Sequence, residues 1–250
     1  MTSKTLSILC FGDSLTSGWH SFGMESHPYS IAFAARVQES LPDTKLEVHT
    51  SGVAGDVATF QRFQQRLEVE CNKRHYDWVI ILGGTNDLAY TIQPKAMYES
   101  FQSNWDVPLV KGSKVLALTI PESESRPAWI LENRSEINSL ILEHKERNFY
   151  SFDLHAKIPF HSLSEEDKDR YWDDGLHLTA DGYDWMGNHI ATGFLAALAS
   201  AKRTAARQAA ASGSSKGLTR TNDSTVFEEE NGNPSRLSEG YVVVRKKDLW

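Results

Sequence analysis

The feature that most constrains this chain is a rhythm of short apolar runs, each followed by a segment with helical spacing. The runs are "LSILCF", "KLEVHTSG", "YDWVIILGG", "KVLALTI" and "NFYSFDL". Between them, "SIAFAARVQESL" carries Ile31, Ala34, Ala35 and Leu41 at helical intervals, and "TFQRFQQRLEVE" continues the pattern. Pro94 and Pro127 each precede a further helical stretch, and a last helix runs from about Thr179 through Trp185, Ile190 and Phe194. Strands with little polar alternation, each followed by a helix, are strands buried on both faces of a parallel sheet. The expectation is therefore an α/β chain: a three-layer α/β/α sandwich around a five-stranded parallel, flavodoxin-like sheet. In such sheets ligands lie beyond the carboxyl ends of the strands, near a switch in strand order.

Chemistry-bearing residues gather at those strand ends. Ser14 follows the first strand in "CFGDSLTSGW", and "SGVAGD" after the second holds Gly52 and Gly55. "GGTND" after the third holds Asn86, and "WDDGLHLTADGY" beyond the fifth holds Asp174 and His177. Gly12-Asp13-Ser14 by itself is turn material. Together, a hydroxyl, an amide, glycine N–H groups and an Asp/His pair supply what acyl transfer needs. Asp174 and His177 are three residues apart, so in a helical turn they share a face. The carboxylate can then orient one imidazole nitrogen while the other meets a serine. Asp173 is a rival partner, and Asp13 is expected to anchor the turn rather than react.

Four blocks in order, "FGDSLTSG", "GVAGD", "GGTND" and "DGLH", resemble those of the GDSL, or SGNH, hydrolase family over roughly residues 5 to 200. The resemblance implies the SGNH hydrolase fold and a carboxylic-ester hydrolase that needs no cofactor. It implies Ser14 as nucleophile, His177 as base and Asp174 as its partner. The oxyanion hole would be the N–H groups of Ser14 and Gly55 and the Asn86 side chain, with Gly52 the alternative glycine. Substrate would be a small-molecule ester cleaved through an acyl-enzyme, as by an esterase or lipase. An acyltransferase using the same residues, or a binding protein on the same fold, are the alternatives. Trp19, Phe22, Trp129, Tyr171 and Trp172 flank the blocks and are expected to line the substrate pocket.

Composition bounds the rest. A net charge of -7 disfavours a nucleic-acid or anionic-membrane surface. No apolar stretch approaches the ~20 residues of a membrane span, and Leu6 to Phe11 is too short for a signal peptide, so a cytoplasmic location is expected. Cys10 and Cys71 form no CxxC pair and read as buried, reduced thiols. The acids Asp13, Asp56, Asp87, Asp173 and Asp174 lack the companion histidines of a metal cluster, so no metal is expected. After about residue 205 the chain turns small, polar and Gly/Ser-rich, and 206–240 reads as a flexible linker. Residues 241–250, "YVVVRKKDLW", read as a strand-like end that docks on a sheet edge or a partner chain, with self-association through this tail one outcome.

Overall fold

The computed structural model of the chain describes residues 5–214, 225–227 and 243–245. Five strands form the central sheet: β1 (Thr5–Gly12), β2 (Lys45–Gly52), β3 (Trp78–Leu82), β4 (Lys114–Leu118) and β5 (Phe149–Phe152). All neighbours run parallel, in the order β2-β1-β3-β4-β5. The chain steps from β1 outward to β2, then returns past β1 to β3, so the strand order switches between β1 and β3. Gly12 is in register with Gly52 on one side and with Leu82 on the other. Three loops thus leave the sheet at one level, around the switch.

The helices are α1 (Ser14–Ser17), α2 (Ser30–Ser40), α3 (Gln61–Lys73), α4 (Thr85–Ala89), α5 (Pro94–Leu109), α6 (Ala128–Glu143), α7 (Glu165–Tyr171) and α8 (Ala180–Ser214). Alternate strand residues point to opposite faces, and two cores follow. Ile8, Cys10, Trp78, Ile80, Leu116 and Leu118 pack with Phe33 and Val37 of α2 and with Tyr183, Ile190 and Phe194 of α8. Leu9, Phe11, Val79, Ile81 and Val115 pack with Phe63 and Leu67 of α3, Phe101 and Trp105 of α5, and Ile137 of α6. The architecture is the expected three-layer α/β/α sandwich. Both cysteines are free and buried, and burial pushes their thiols up to about 12 for Cys10 and about 11 for Cys71.

The chain divides into two units, Met1–Ala201 and Lys202–Trp250. Helix α8 continues past residue 205 to Ser214, because "AKRTAARQAAAS" is rich in alanine, the strongest helix former. Thr225–Phe227, inside the stretch read as linker, forms a strand antiparallel to Val243–Arg245. That pairing is within the second unit. The rest of 215–242 and residues 246–250 lie outside the described residues. Among the described residues, no helix is long and apolar enough to cross a membrane.

Candidate active site

Ser14 is the first residue of α1, directly after β1. Asp13 caps that helix: its Oδ1 accepts from Leu15 N–H at 3.0 Å, and its carbonyl accepts from Ser17 N–H at 3.1 Å. The turn is tight because neither flanking glycine has room for a side chain. A Cβ on Gly52 would lie 2.2 Å from Ser17 N, so β2 and α1 approach backbone to backbone. Burial pushes the Asp13 carboxyl up to about 7 despite the Leu15 hydrogen bond, and Asp87 and Asp56 nearby add to the rise.

The predicted base, His177, sits on the turn between α7 and α8. His177 Nε2 lies 3.0 Å from Ser14 Oγ, and Nδ1 lies 2.9 Å from Asp174 Oδ2. Asp174 Oδ1 also accepts from the N–H groups of Leu176 and His177, at 3.0 and 2.7 Å. This is an aspartate-capped turn rather than the expected helical turn. Gly175 takes φ +75, which a helix does not allow. Trp172 and Leu178 pair across its base, and Asp173 N–H donates to the His177 carbonyl at 2.8 Å. Burial raises the Asp174 carboxyl, but the bonds from His177 and Leu176 outweigh it and hold the group below the usual carboxylate range. Asp173 is not the partner of the ring: its Oδ2 accepts from Ser21 N–H at 2.8 Å.

The predicted oxyanion donors come from three loops. Ser14 N–H is the first of its helix and has no intrahelical acceptor. Gly55 adopts φ +74 in an exposed turn, with open space where a side chain would begin. Asn86 Nδ2 donates to the Asp56 carbonyl at 2.8 Å, leaving its second amide hydrogen. Asp87 holds the same two loops together, accepting from the N–H groups of Ala58 and Thr59 at 2.9 and 2.8 Å. Its carboxyl is raised by burial, against those two bonds.

Of the five aromatic residues expected at the rim, Trp19 reaches the site, with its ring centroid 4.2 Å from that of His177. Phe22 stands at a hairpin tip, 86% exposed, and Trp129 is partly exposed at the start of α6. Tyr171 stacks on Trp185 at 4.7 Å. Trp172 is 5% exposed and packs on Phe160, so it anchors the base turn from the core instead of offering a face to substrate. His20 bonds Gly18 O and Glu25, and His27 bonds Asp184, so neither is directed at Ser14.

Sequence reasoning missed Arg66. Its guanidinium donates to the carbonyls of Gly12 (2.6 Å) and Ser51 (3.0 Å), pairs with Asp56 at 3.0 Å, and lies 4.0 Å over the Phe11 ring. It ties together the ends of β1 and β2 and the Gly55 loop. The available signal was a charged residue on the Phe63–Leu67 side of α3, where burial would require partners. Among the described residues, no group of three or more His, Cys, Asp or Glu is arranged to hold a metal ion.

The GDSL-like lipase/acylhydrolase family model matches residues 10–185. No curated protein matches the chain. Solved structures share the fold at low identity. A family 3 carbohydrate esterase from Clostridium thermocellum aligns with TM-score 0.61 and 16% identity, over 79% of this chain and 98% of that one. A lipase/acylhydrolase from Enterococcus faecalis aligns with TM-score 0.57 and 22% identity, over 76% and 94%. A carbohydrate acetylesterase family member from Sinorhizobium meliloti aligns with TM-score 0.59 and 19% identity, over 78% and 99%. With its motif blocks at the ends of the first three strands and on the turn before α8, the chain belongs to the GDSL-like lipase/acylhydrolase family, the GDSL or SGNH hydrolases.

Proposed function

We propose that this hydrolase cleaves carboxylic esters through an acyl-enzyme on Ser14. The observation that carries the reading is the relay of Ser14 Oγ, His177 and Asp174 at 3.0 and 2.9 Å. His177 Nε2 takes the hydroxyl proton as Oγ attacks the ester carbonyl carbon. Asp174, held ionised, fixes the tautomer with the proton on Nδ1 and offsets the charge that the ring gains. The carbonyl oxygen becomes an oxyanion, to which Ser14 N–H, Gly55 N–H and the second Asn86 amide hydrogen donate. Collapse breaks the bond to the alcohol oxygen, which leaves with the proton from Nε2. Water then repeats the sequence on the acyl-enzyme, releasing the acid and restoring Ser14.

The structural relatives include carbohydrate esterases and a lipase/acylhydrolase, so the substrate test spans both. A panel of p-nitrophenyl esters from acetyl to palmitoyl, with acetylated xylose as a sugar ester, should show turnover that Ser14→Ala abolishes. Turnover of any of them that persists in Ser14→Ala overturns the reading.

A further inference from the structure

The Ser-His-Asp reading leaves one question: what holds His177 while Ser14 is acylated? Its Nδ1 partner, Asp174, rides on the same turn and moves with it. Its Nε2 partner, Ser14 Oγ, is lost as a donor once Oγ carries the acyl group. Yet the imidazole must stay in place to activate water. One contact from outside the turn that does not depend on Ser14 Oγ is the Trp19 ring, 4.2 Å from His177 between centroids and tilted by 51°.

We propose that Trp19 is a positioning residue: its indole bears on the His177 imidazole and keeps it in reach of Ser14 through the catalytic cycle. This inference rests on the Ser14–His177–Asp174 reading. Trp19 is itself held, through its backbone and at one edge of its indole. Trp19–His20 pairs antiparallel with Glu25–Ser26 in a short hairpin. Tyr183 OH, from the core, donates to the Trp19 carbonyl at 2.8 Å. A Cβ on Gly23 would lie 2.5 Å from Trp19 Nε1, so the hairpin tip closes against the indole edge. Ser21 and Phe22 at that tip take φ +53 and +57, uncommon for residues with side chains.

The same hairpin joins the nucleophile to the base. At its foot, His27 N–H donates to the Gly18 carbonyl at 2.8 Å, and Ser26 Oγ donates to the Ser17 carbonyl at 2.6 Å. At its tip, Ser21 N–H donates to Asp173 at 2.8 Å, on the base turn. A 4.2 Å centroid separation also lies inside the ~6 Å range of cation–π attraction, so the indole favours the imidazolium that forms in each transition state.

The test compares Trp19→Leu and Trp19→Phe in the full chain by p-nitrophenyl acetate kinetics and by the NMR signal of the His177 Cε1–H. Trp19→Leu is expected to lower kcat about ten-fold or more with KM within about two-fold. Its His177 signal should move relative to wild type as the indole ring current is lost. Trp19→Phe, which restores a ring, should return most of the kcat. If Trp19→Leu does not fold, Tyr183→Phe frees the Trp19 carbonyl at nearly constant volume and should move the same signal and lower kcat. An unchanged His177 signal, an unchanged kcat, or a loss confined to KM overturns the proposal. The NMR comparison needs no substrate, so it judges the Trp19 contact even if Ser14→Ala retains activity and the triad reading falls.

Discussion

At the residue scale, the site separates groups that react from groups that hold them. Asn86 keeps one amide hydrogen on the Asp56 carbonyl, and the other is the one proposed to meet the oxyanion. Asn86→Ala should therefore lower kcat by about 10²–10³ while the fold, read by circular dichroism, is retained. His177→Ala should be nearly as severe as Ser14→Ala, since members of such a unit are not additive. Steady-state kinetics on one p-nitrophenyl ester checks all three. The meeting of Ser14, His177 and Asp174 was legible because each sits in a short block whose residue types have few other combined uses. The fate of the neighbouring aromatics was not legible. Trp19 and Trp172 look alike in a string, yet one ring meets His177 and the other fills the core, and only long-range packing separates them.

At the scale of elements, the five strands and their helices followed from periodicity, because buried parallel strands and amphipathic helices write different patterns. Elements that lack a hydrophobic period were invisible. The Trp19–Ser26 hairpin is made by a few backbone bonds, and α7 is a polar helix capped by Ser164. Arg66 belongs here too, since its partners come from three separated segments. Arg66→Met should cost about 2–4 kcal/mol in urea denaturation, because it strands Asp56, nearly buried, without its counter-charge. It should also lower kcat by loosening the Gly55 loop. Arg66→Lys should fall between, restoring the charge without the fork that spans two carbonyls and a carboxylate. Equal stability of Arg66→Met and wild type would remove this role.

At the scale of the whole molecule, Asp13 couples stability to pH. Its folded pKa, raised to about 7 from 3.8, means the native state keeps a proton that the unfolded chain loses. Stability from this group is fully present below about pH 4 and is lost as pH rises to about 7. Asp13→Asn keeps the Leu15 bond and removes the titration. The melting temperature of Asp13→Asn minus that of wild type should therefore increase from pH 5 to pH 8; a constant difference would contradict it. A chain ending at Arg207 should retain ester hydrolysis, because every proposed catalytic residue lies within Met1–Ala201. The Gly/Ser-rich composition after residue 205 averages two adjoining stretches, the first of which belongs to helix α8 through Ser214.

The central claim is that Ser14 is the nucleophile and His177 its base. Intact-mass spectrometry after treatment with an ester-like fluorophosphonate tests it most directly, since the reagent reacts far faster with an activated serine than with an ordinary hydroxyl. One adduct should form on the wild-type chain and map to Ser14 in a peptide digest. None should form on Ser14→Ala, and labelling of His177→Ala should be slowed by orders of magnitude. An adduct of equal yield on Ser14→Ala, or one mapping elsewhere in wild type, would contradict the account.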